Sequence, residues 1–322
     1  MGLVKKILNK FNGLHYQQEY LCLSKESFQH PLHAYLIKNG HRVNDITGSH
    51  RFVGYTPLLI ALSFSSMNSL PQNIEIAFSH DSLQPNENPE KKDAIAKLAL
   101  KKVRQIEVDG DIILFYEGMK GNHHFISGFH QFMIELNNRL YNKKQGNVFL
   151  KNNLYTQVQI AYAIPRKICL ITVGENNLYN HFPTDLHGRF KDKYIISLRS
   201  EGNACRQVES AKRIVLCDMH VSAYKKVYAL GKNHMQPLKE KFTFDFGFHY
   251  SKNLHLPLPK NLLSYKELEL ENSFIHGIHK LLIFKIVYEE NAVDKPETLA
   301  HIHNCYATWR YKHRISSNLL FR

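Results

Sequence analysis

The stretch Leu178-Tyr-Asn-His-Phe-Pro-Thr-Asp-Leu-His-Gly188 lies between two runs rich in β-branched and aromatic residues. Upstream is Val158-Gln-Ile-Ala-Tyr-Ala-Ile-Pro-Arg-Lys-Ile-Cys-Leu-Ile-Thr-Val173, and downstream is Tyr194-Ile-Ile-Ser-Leu-Arg-Ser-Glu-Gly-Asn203. Apolar run, polar turn, apolar run, polar turn is the pattern of antiparallel strands that close into a barrel. The turns carry Thr184, Ser197, Arg199, Ser200 and Asn203. A phosphate needs a cation for charge and hydroxyl or N–H groups for geometry, and these side chains supply both. The pattern predicts a phosphorylated cofactor lying across neighbouring strand ends. The plain alternative is that Asn and Ser occur here because turns favour them.

The order of short motifs narrows this reading. Pro165-Arg166 sits in an Ile/Val-rich run that ends at Thr172-Val173, and Asn180-His-Phe-Pro-Thr184 follows as a turn. Ser197-Leu198-Arg199-Ser200 ends the next strand, Asn203 to Glu209 reads as a short helix, and Ile214-Val-Leu-Cys217 as another strand. Further on, Phe274-Ile-His-Gly-Ile-His-Lys-Leu-Leu-Ile-Phe284 reads as a strand carrying His279. In this order and spacing the chain resembles the flavin reductase-like, FMN-binding split-barrel family. It departs from that pattern at Ile278, where the family has an acid. The resemblance covers roughly residues 145–322 and leaves residues 1–145 without a counterpart.

The resemblance implies an FMN site, with NADH or NADPH as electron donor. The phosphate falls to Thr184, Ser197, Leu198, Arg199, Ser200 and Asn203, because the family brings the turn and the following helix start together. Asn180, Phe182, Pro183 and Asp185 fall beside the isoalloxazine ring. An acid there either accepts from the flavin N3–H or caps the next turn. Asn233-His234 falls in a region that covers the cofactor. His279 falls beside the nicotinamide or substrate as the candidate catalytic residue, to orient and gate, since the cofactor carries the hydride chemistry. A core histidine bonded to backbone is the plain alternative. Family members commonly pair as homodimers with flavin near the interface. The implied activity is an NAD(P)H:flavin oxidoreductase. Two other readings stay open: an FMN-binding protein without a reductase cycle, and a degenerate barrel whose N-terminal part binds a partner or nucleic acid.

Composition bounds the rest. The 322 residues, 43% hydrophobic and 11% aromatic, suit an α+β domain over 1–145 and an all-β split barrel with helical insertions over 146–322. Asn142-Lys-Lys-Gln-Gly146 is the expected boundary. The five cysteines are widely spaced with no Cys-x-x-Cys, which excludes a zinc cluster or disulfide framework and suits a reducing cytoplasm. Forty-two Lys and Arg against 28 Asp and Glu give +14. The cations are dispersed, so the excess fits anionic cofactors better than a nucleic-acid footprint.

At the N-terminus, Leu3, Ile7, Leu8 and Phe11 share a helical face, to pack on the body or, as a basic amphipathic helix, to meet a membrane surface. Ile74–Phe78 and Asp111–Tyr116 read as strands, Thr47–Pro57 as a loop, and Leu58–Phe64 is ambiguous. Pro89–Val103 and Gly128–Tyr141 read as helices, the second burying Phe129, Phe132, Met133, Leu136 and Leu140. Tyr306 to Arg314 reads as a strand with Trp309 and Tyr311 on one face, resembling a segment that touches flavin or partner in the family; aromatic–basic alternation also suits single-stranded nucleic acid. His301 and His303 would share a strand face, but with no third ligand at a recognisable spacing no metal is expected.

Overall fold

Alternating apolar and polar residues along 96–123 and 262–290 build two long hairpins, each the centre of an antiparallel sheet. A computed structural model describes residues 11–23, 32–38, 40–64, 71–82, 84, 94–108, 111–141, 152–291, 297–315 and 319–321. The first hairpin joins β7 (Ala96–Val108) to β8 (Asp111–His123). Around it lie β2 (His33–Lys38), β3 (His41–Asp45), β4 (His50–Tyr55), β5 (Leu58–Phe64) and β6 (Asn73–Ser79), in the order β3-β2-β6-β7-β8-β5-β4.

The second hairpin joins β18 (Leu262–His276) to β19 (His279–Glu290). Its sheet adds β10 (Cys169–Glu175), β11 (Leu178–Thr184), β12 (His187–Phe190), β13 (Lys193–Arg199), β14 (Arg213–Met219) and β15 (Lys239–Glu240). The order is β12-β13-β19-β18-β14-β10-β11-β15. A smaller sheet, β21-β1-β20-β9, ties the chain ends together through β1 (Tyr20–Leu23), β9 (Arg166–Lys167), β20 (Ala300–His303) and β21 (Leu319–Phe321). A two-stranded ribbon pairs β16 (Phe246–Tyr250) with β17 (Pro257–Pro259).

The helices are α1 (Gly128–Tyr141), α2 (Leu154–Ala163), α3 (Asn203–Ala211), α4 (Tyr224–Ala229) and α5 (Asn304–Lys312). Helix α2 lies on β8 at two glycines. A Cβ at Gly118 would sit 2.1 Å from Gln157 Oε1, and one at Gly121 would sit 3.1 Å from the Gln157 Cα. Asn153, which precedes α2 at φ 66°, donates to Gly121 O and accepts from Gly121 N, so its amide acts as a strand partner for β8. The helix stops at Ile164, whose extended backbone is the one Pro165 imposes on its predecessor.

The two sheets meet through an apolar cluster that mixes Val53, Leu59, Ile113 and Phe115 of the first with Phe190, Ile195, Leu281 and Ile283 of the second. Beside it the tip of the second hairpin docks on the β4–β5 turn. Ile278 N donates to Thr56 O (3.0 Å), and a Cβ at Gly277 (φ 59°) would fall 2.1 Å from that oxygen. The expected boundary at 145/146 lies outside the described residues. The core beneath the first sheet draws on Leu36, Phe78 and Leu98, and also on Val158, Ile160, Ile302 and Tyr306.

Several expected elements take another form. Residues 96–103 are strand, not helix, because β6 and β8 pair with both edges and Ala96, Leu98 and Leu100 alternate into the core. Val158–Ala163 is helix, because it is enclosed on several sides, and a helix buried all round lacks the polar stripe that marks one in sequence. Thr47–Pro57 contains β4, and Leu58–Phe64 is β5. Asn180–Thr184 is strand rather than turn, and Phe274–Phe284 is the hairpin tip with both its arms. Residues 306–312 belong to α5, where His303 Nδ1 accepts from Cys305 N and Tyr306 and Arg310 are buried one turn apart. Trp309 therefore stacks on His80, 5.0 Å away, instead of sharing a strand face with Tyr311. Helix α1 has its expected span but turns its apolar stripe outward: Phe129 is 68% and Phe132 60% exposed, while Ile134 is buried. The face expected over residues 3–11 lies outside the described residues, apart from exposed Phe11.

Candidate functional site

Strand register brings the site together. In the β13–β19 pairing Arg199 stands opposite His279. In the β9–β20 pairing Arg166 stands opposite His301. Asp185 leaves the end of β11 between these two ladders, and Tyr55 reaches in from the end of β4.

At the centre is a buried ionic cluster. Arg166 Nη2 donates to Asp185 Oδ2 (2.9 Å) and to His301 Nε2 (2.7 Å), and the Tyr55 hydroxyl donates to Asp185 Oδ2 (3.0 Å). Arg166 Nη1 donates to the Ala161 carbonyl at the end of α2, and its guanidinium lies 4.9 Å from the Tyr162 ring centroid. Burial would raise the Asp185 carboxyl. The Arg166 charge, with His301 and the Tyr55 hydroxyl, overcomes this and holds it well below the usual carboxylate range. Burial pushes the Tyr162 phenol well above its ordinary value, so it is neutral at pH 7.

A cavity of ≈ 350 Å³ opens beside this cluster. It is lined by Pro183, Thr184, Asp185, Ser197, Leu198, Arg199, His234 and His279 among the residues singled out from sequence. Two of the lining residues, Ser197 and His279, each carry a side-chain atom (Oγ and Nδ1) buried without a hydrogen-bond partner among the described residues. A buried polar atom left unpaired costs about 1–3 kcal/mol. Burial first, and then the nearby Arg199 charge, lower His279 to about 4. At neutral pH it is an uncharged imidazole with one donor and one acceptor. His234 is also lowered by burial, and its Nε2–H donates to the Pro183 carbonyl (2.8 Å). Arg199 is exposed, with no carboxylate within ion-pair distance among the described residues.

The other sequence candidates hold the surrounding structure. Asn180 Nδ2 donates to Gln207 Oε1 (2.7 Å) and to the Asn233 carbonyl (3.0 Å), and Asn233 Nδ2 donates to the His181 carbonyl (2.8 Å). This clasp fixes the 3₁₀ turn Leu230–Met235 on β11. Phe182 is buried in the core of the second sheet, with its ring centroid 4.9 Å from that of His234. Ser200 Oγ donates to the Ile278 carbonyl, and Asn203 Nδ2 donates to the Met235 carbonyl. None of these five lines the cavity.

Sequence reasoning did not find Tyr55 and Tyr162, which line the cavity together with Thr184 and Pro183. They come from before β9, and nothing in their local sequence marks them. His301, weighed only as half of a metal pair, belongs to the Asp185 cluster. Among the described residues no group of three His, Cys, Asp or Glu is placed to hold a metal. Also among the described residues, no helix is long and apolar enough to cross a membrane, and all five cysteines are buried thiols outside any disulfide.

No protein-family model matches the chain, and no curated protein sequence does. Solved structures do. An FMN-binding protein from Thermus thermophilus, crystallised with p-hydroxybenzaldehyde, is 16% identical over 42% of this chain and 81% of its own, with a TM-score of 0.38. The NADH:FAD oxidoreductase SgcE6 of Streptomyces globisporus is 11% identical over 45% of this chain and 86% of its own, with a TM-score of 0.40. BorF, the flavin reductase component of a bacterial two-component tryptophan halogenase, is 12% identical over 52% of this chain and 98% of its own, with a TM-score of 0.42.

Proposed function

We propose that the cavity between Thr184, Ser197 and His279 is a flavin site, and that the protein is an FMN-dependent oxidoreductase drawing on NADH or NADPH. The observation that carries this reading is a cavity lined largely by residues selected from sequence for flavin, two of which, Ser197 and His279, keep a side-chain polar atom without a partner among the described residues. Unpaired Arg199 at the rim and the Thr184 hydroxyl suit a phosphate, and the Tyr55, Tyr162 and Pro183 surfaces suit a planar ring. When bound, the flavin supplies the hydride-accepting chemistry. The chain's own residues bind and orient. His279, neutral at pH 7, offers a hydrogen bond without a positive charge. Asp185 stays ionised and bound to Arg166, so it fixes the wall and does not take up protons.

The same reading makes the protein a cytoplasmic homodimer. Buried cysteine thiols outside any disulfide fit a reducing compartment, and exposed apolar side chains at Met235, Phe242 (83%) and Phe248 (95%) fit a partner surface. Light scattering after gel filtration checks the dimer.

The test is spectroscopic. FMN added to the protein should show a perturbed, saturable visible spectrum, and NADH or NADPH should bleach it. Ser197→Ala and His279→Ala should each weaken FMN about tenfold. Unchanged affinity in a Thr184→Ala, Arg199→Ala double variant would remove the phosphate assignment. Binding without bleaching would leave a flavin-binding protein without a reductase cycle.

A further inference from the structure

A larger cavity, ≈ 530 Å³, lies where the two sheets face each other and shares only Asp185 with the flavin cavity. Five cations line it: Arg51 from β4, Arg166 and Lys167 from β9, Arg189 from β12 and Lys266 from β18. Two carboxylates stand in the same wall. Asp185 is held by Arg166, and Glu289 by Arg189 (2.7 Å) and Lys266 (3.0 Å). Asp218, behind the wall, holds Lys167 (2.7 Å). Five cations thus face three carboxylates, leaving a surplus of two positive charges. His50 and His187 add none, since burial lowers both to about 4.

Arg51 is where the surplus resides. It has no carboxylate within ion-pair distance among the described residues, and its Nη1 donates only to the carbonyl of its neighbour His50 (2.6 Å). Its side chain lies across the backbone of Gly188, where a Cβ would meet Arg51 Cγ and Cδ at 2.5 Å. The guanidinium is therefore held between the sheets while most of its donors remain unused. A half-buried guanidinium with one carbonyl as acceptor and no carboxylate is costly, and the remaining donors of its planar fork match two oxygens of one phosphoryl group.

The geometry points to a second binding site in this inter-sheet cavity, for a phosphorylated small molecule whose phosphoryl group is gripped by Arg51. A phosphomonoester carries about −1.5 to −2 charge at pH 7, which matches the surplus where a single carboxylate does not. The volume is that of a small-molecule site rather than of an ion seat. The site draws one side from each sheet, so its occupant would clamp the first sheet to the second. This site does not rest on the flavin reading.

The test is calorimetric titration of the full-length protein with phenyl phosphate at fixed ionic strength, with phenol as the neutral match. Wild type should bind phenyl phosphate and not phenol at the same concentration. Arg51→Gln should weaken binding about tenfold or more, Arg51→Lys should recover part of the loss, and FMN binding should be unchanged in both. Arg199→Ala should leave phenyl phosphate binding intact. Should Arg51→Gln fail to fold, charge reversal at the exposed rim by Arg189→Glu must weaken the ligand instead. The proposal is overturned by absence of binding to wild type, by full affinity in Arg51→Gln or in Arg189→Glu, or by FMN displacing phenyl phosphate with loss in Arg199→Ala.

Discussion

Asp185 touches more of the molecule's chemistry than any neighbour on its strand. Its carboxylate accepts from Arg166 and Tyr55, and His301 Nε2 lies 3.2 Å from it, the three coming from separate segments of chain. Removing the charge leaves the buried guanidinium of Arg166 without its counter-ion. Asp185→Asn should therefore destabilise the fold by about 3 kcal/mol, the low end for a broken buried pair because some solvent reaches Asp185. Urea unfolding at pH 7 measures this. The sign with pH follows from the depressed carboxyl. Its stabilisation is complete above the ordinary carboxylate pKa and is lost as pH falls below it, so the gap between wild type and Asp185→Asn should hold down to about pH 4 and narrow below that. A gap independent of pH would remove the ion pair as its cause. Sequence marked Asp185 as a departure beside a flavin edge. Its partners were not legible, because Tyr55 and His301 lie far from it along the chain.

At the scale of elements, helix α1 and the second hairpin separate what a pattern predicts from what packing decides. The 3.6-residue period of Phe129, Phe132, Leu136 and Leu140 locates α1 correctly, but the described structure buries Ile134 instead. Phe132→Ser should then change unfolding free energy by less than about 0.5 kcal/mol, whereas Ile134→Ala should cost about 2 kcal/mol or more. Equal losses would mean that the stripe is covered. The hairpin tip is the reverse case, with little side chain and tight contact. Gly277→Ala keeps a positive φ and drives a methyl group into Thr56 O, so it should lower stability by about 1–3 kcal/mol, seen as a fall in Tm. Strands β6, β8, β10, β13 and β14 were legible because their β-branched runs are short and bounded by polar residues. Strand β7 and helix α2 were not, since Ala, Leu, Lys and Tyr serve either period until a neighbour supplies hydrogen bonds or encloses the surface.

Across the whole molecule, neutral buried histidines set the acid limit. His50, His123, His181, His187 and His279 are each lowered to about 4, chiefly by burial. Between the unfolded pKa near 6.5 and about 4 the unfolded chain binds a proton at each position and the folded chain does not. Stability must therefore fall as pH drops through that window, by about 1.4 kcal/mol per pH unit for each histidine. Chemical unfolding followed from pH 7 to pH 4.5 should show a steep loss, and a flat profile would mean that these imidazoles are reached by solvent.

What the sequence determined by itself is local. It set the antiparallel strand pattern after Ile168, the span of α1, helix α3 beginning at Asn203, and most of the side chains that line the smaller cavity, because period, turn residues and short motifs act over a few neighbouring positions. Only the tertiary structure decided that Tyr55 and Tyr162 line that cavity, that Arg166 holds Asp185 beside His301, and that Arg51 lines a second cavity with no carboxylate partner among the described residues. Those outcomes depend on which strand ends two sheets bring together. Register and docking over long separations are fixed by pairing and burial of the whole chain, and no window of residues contains them.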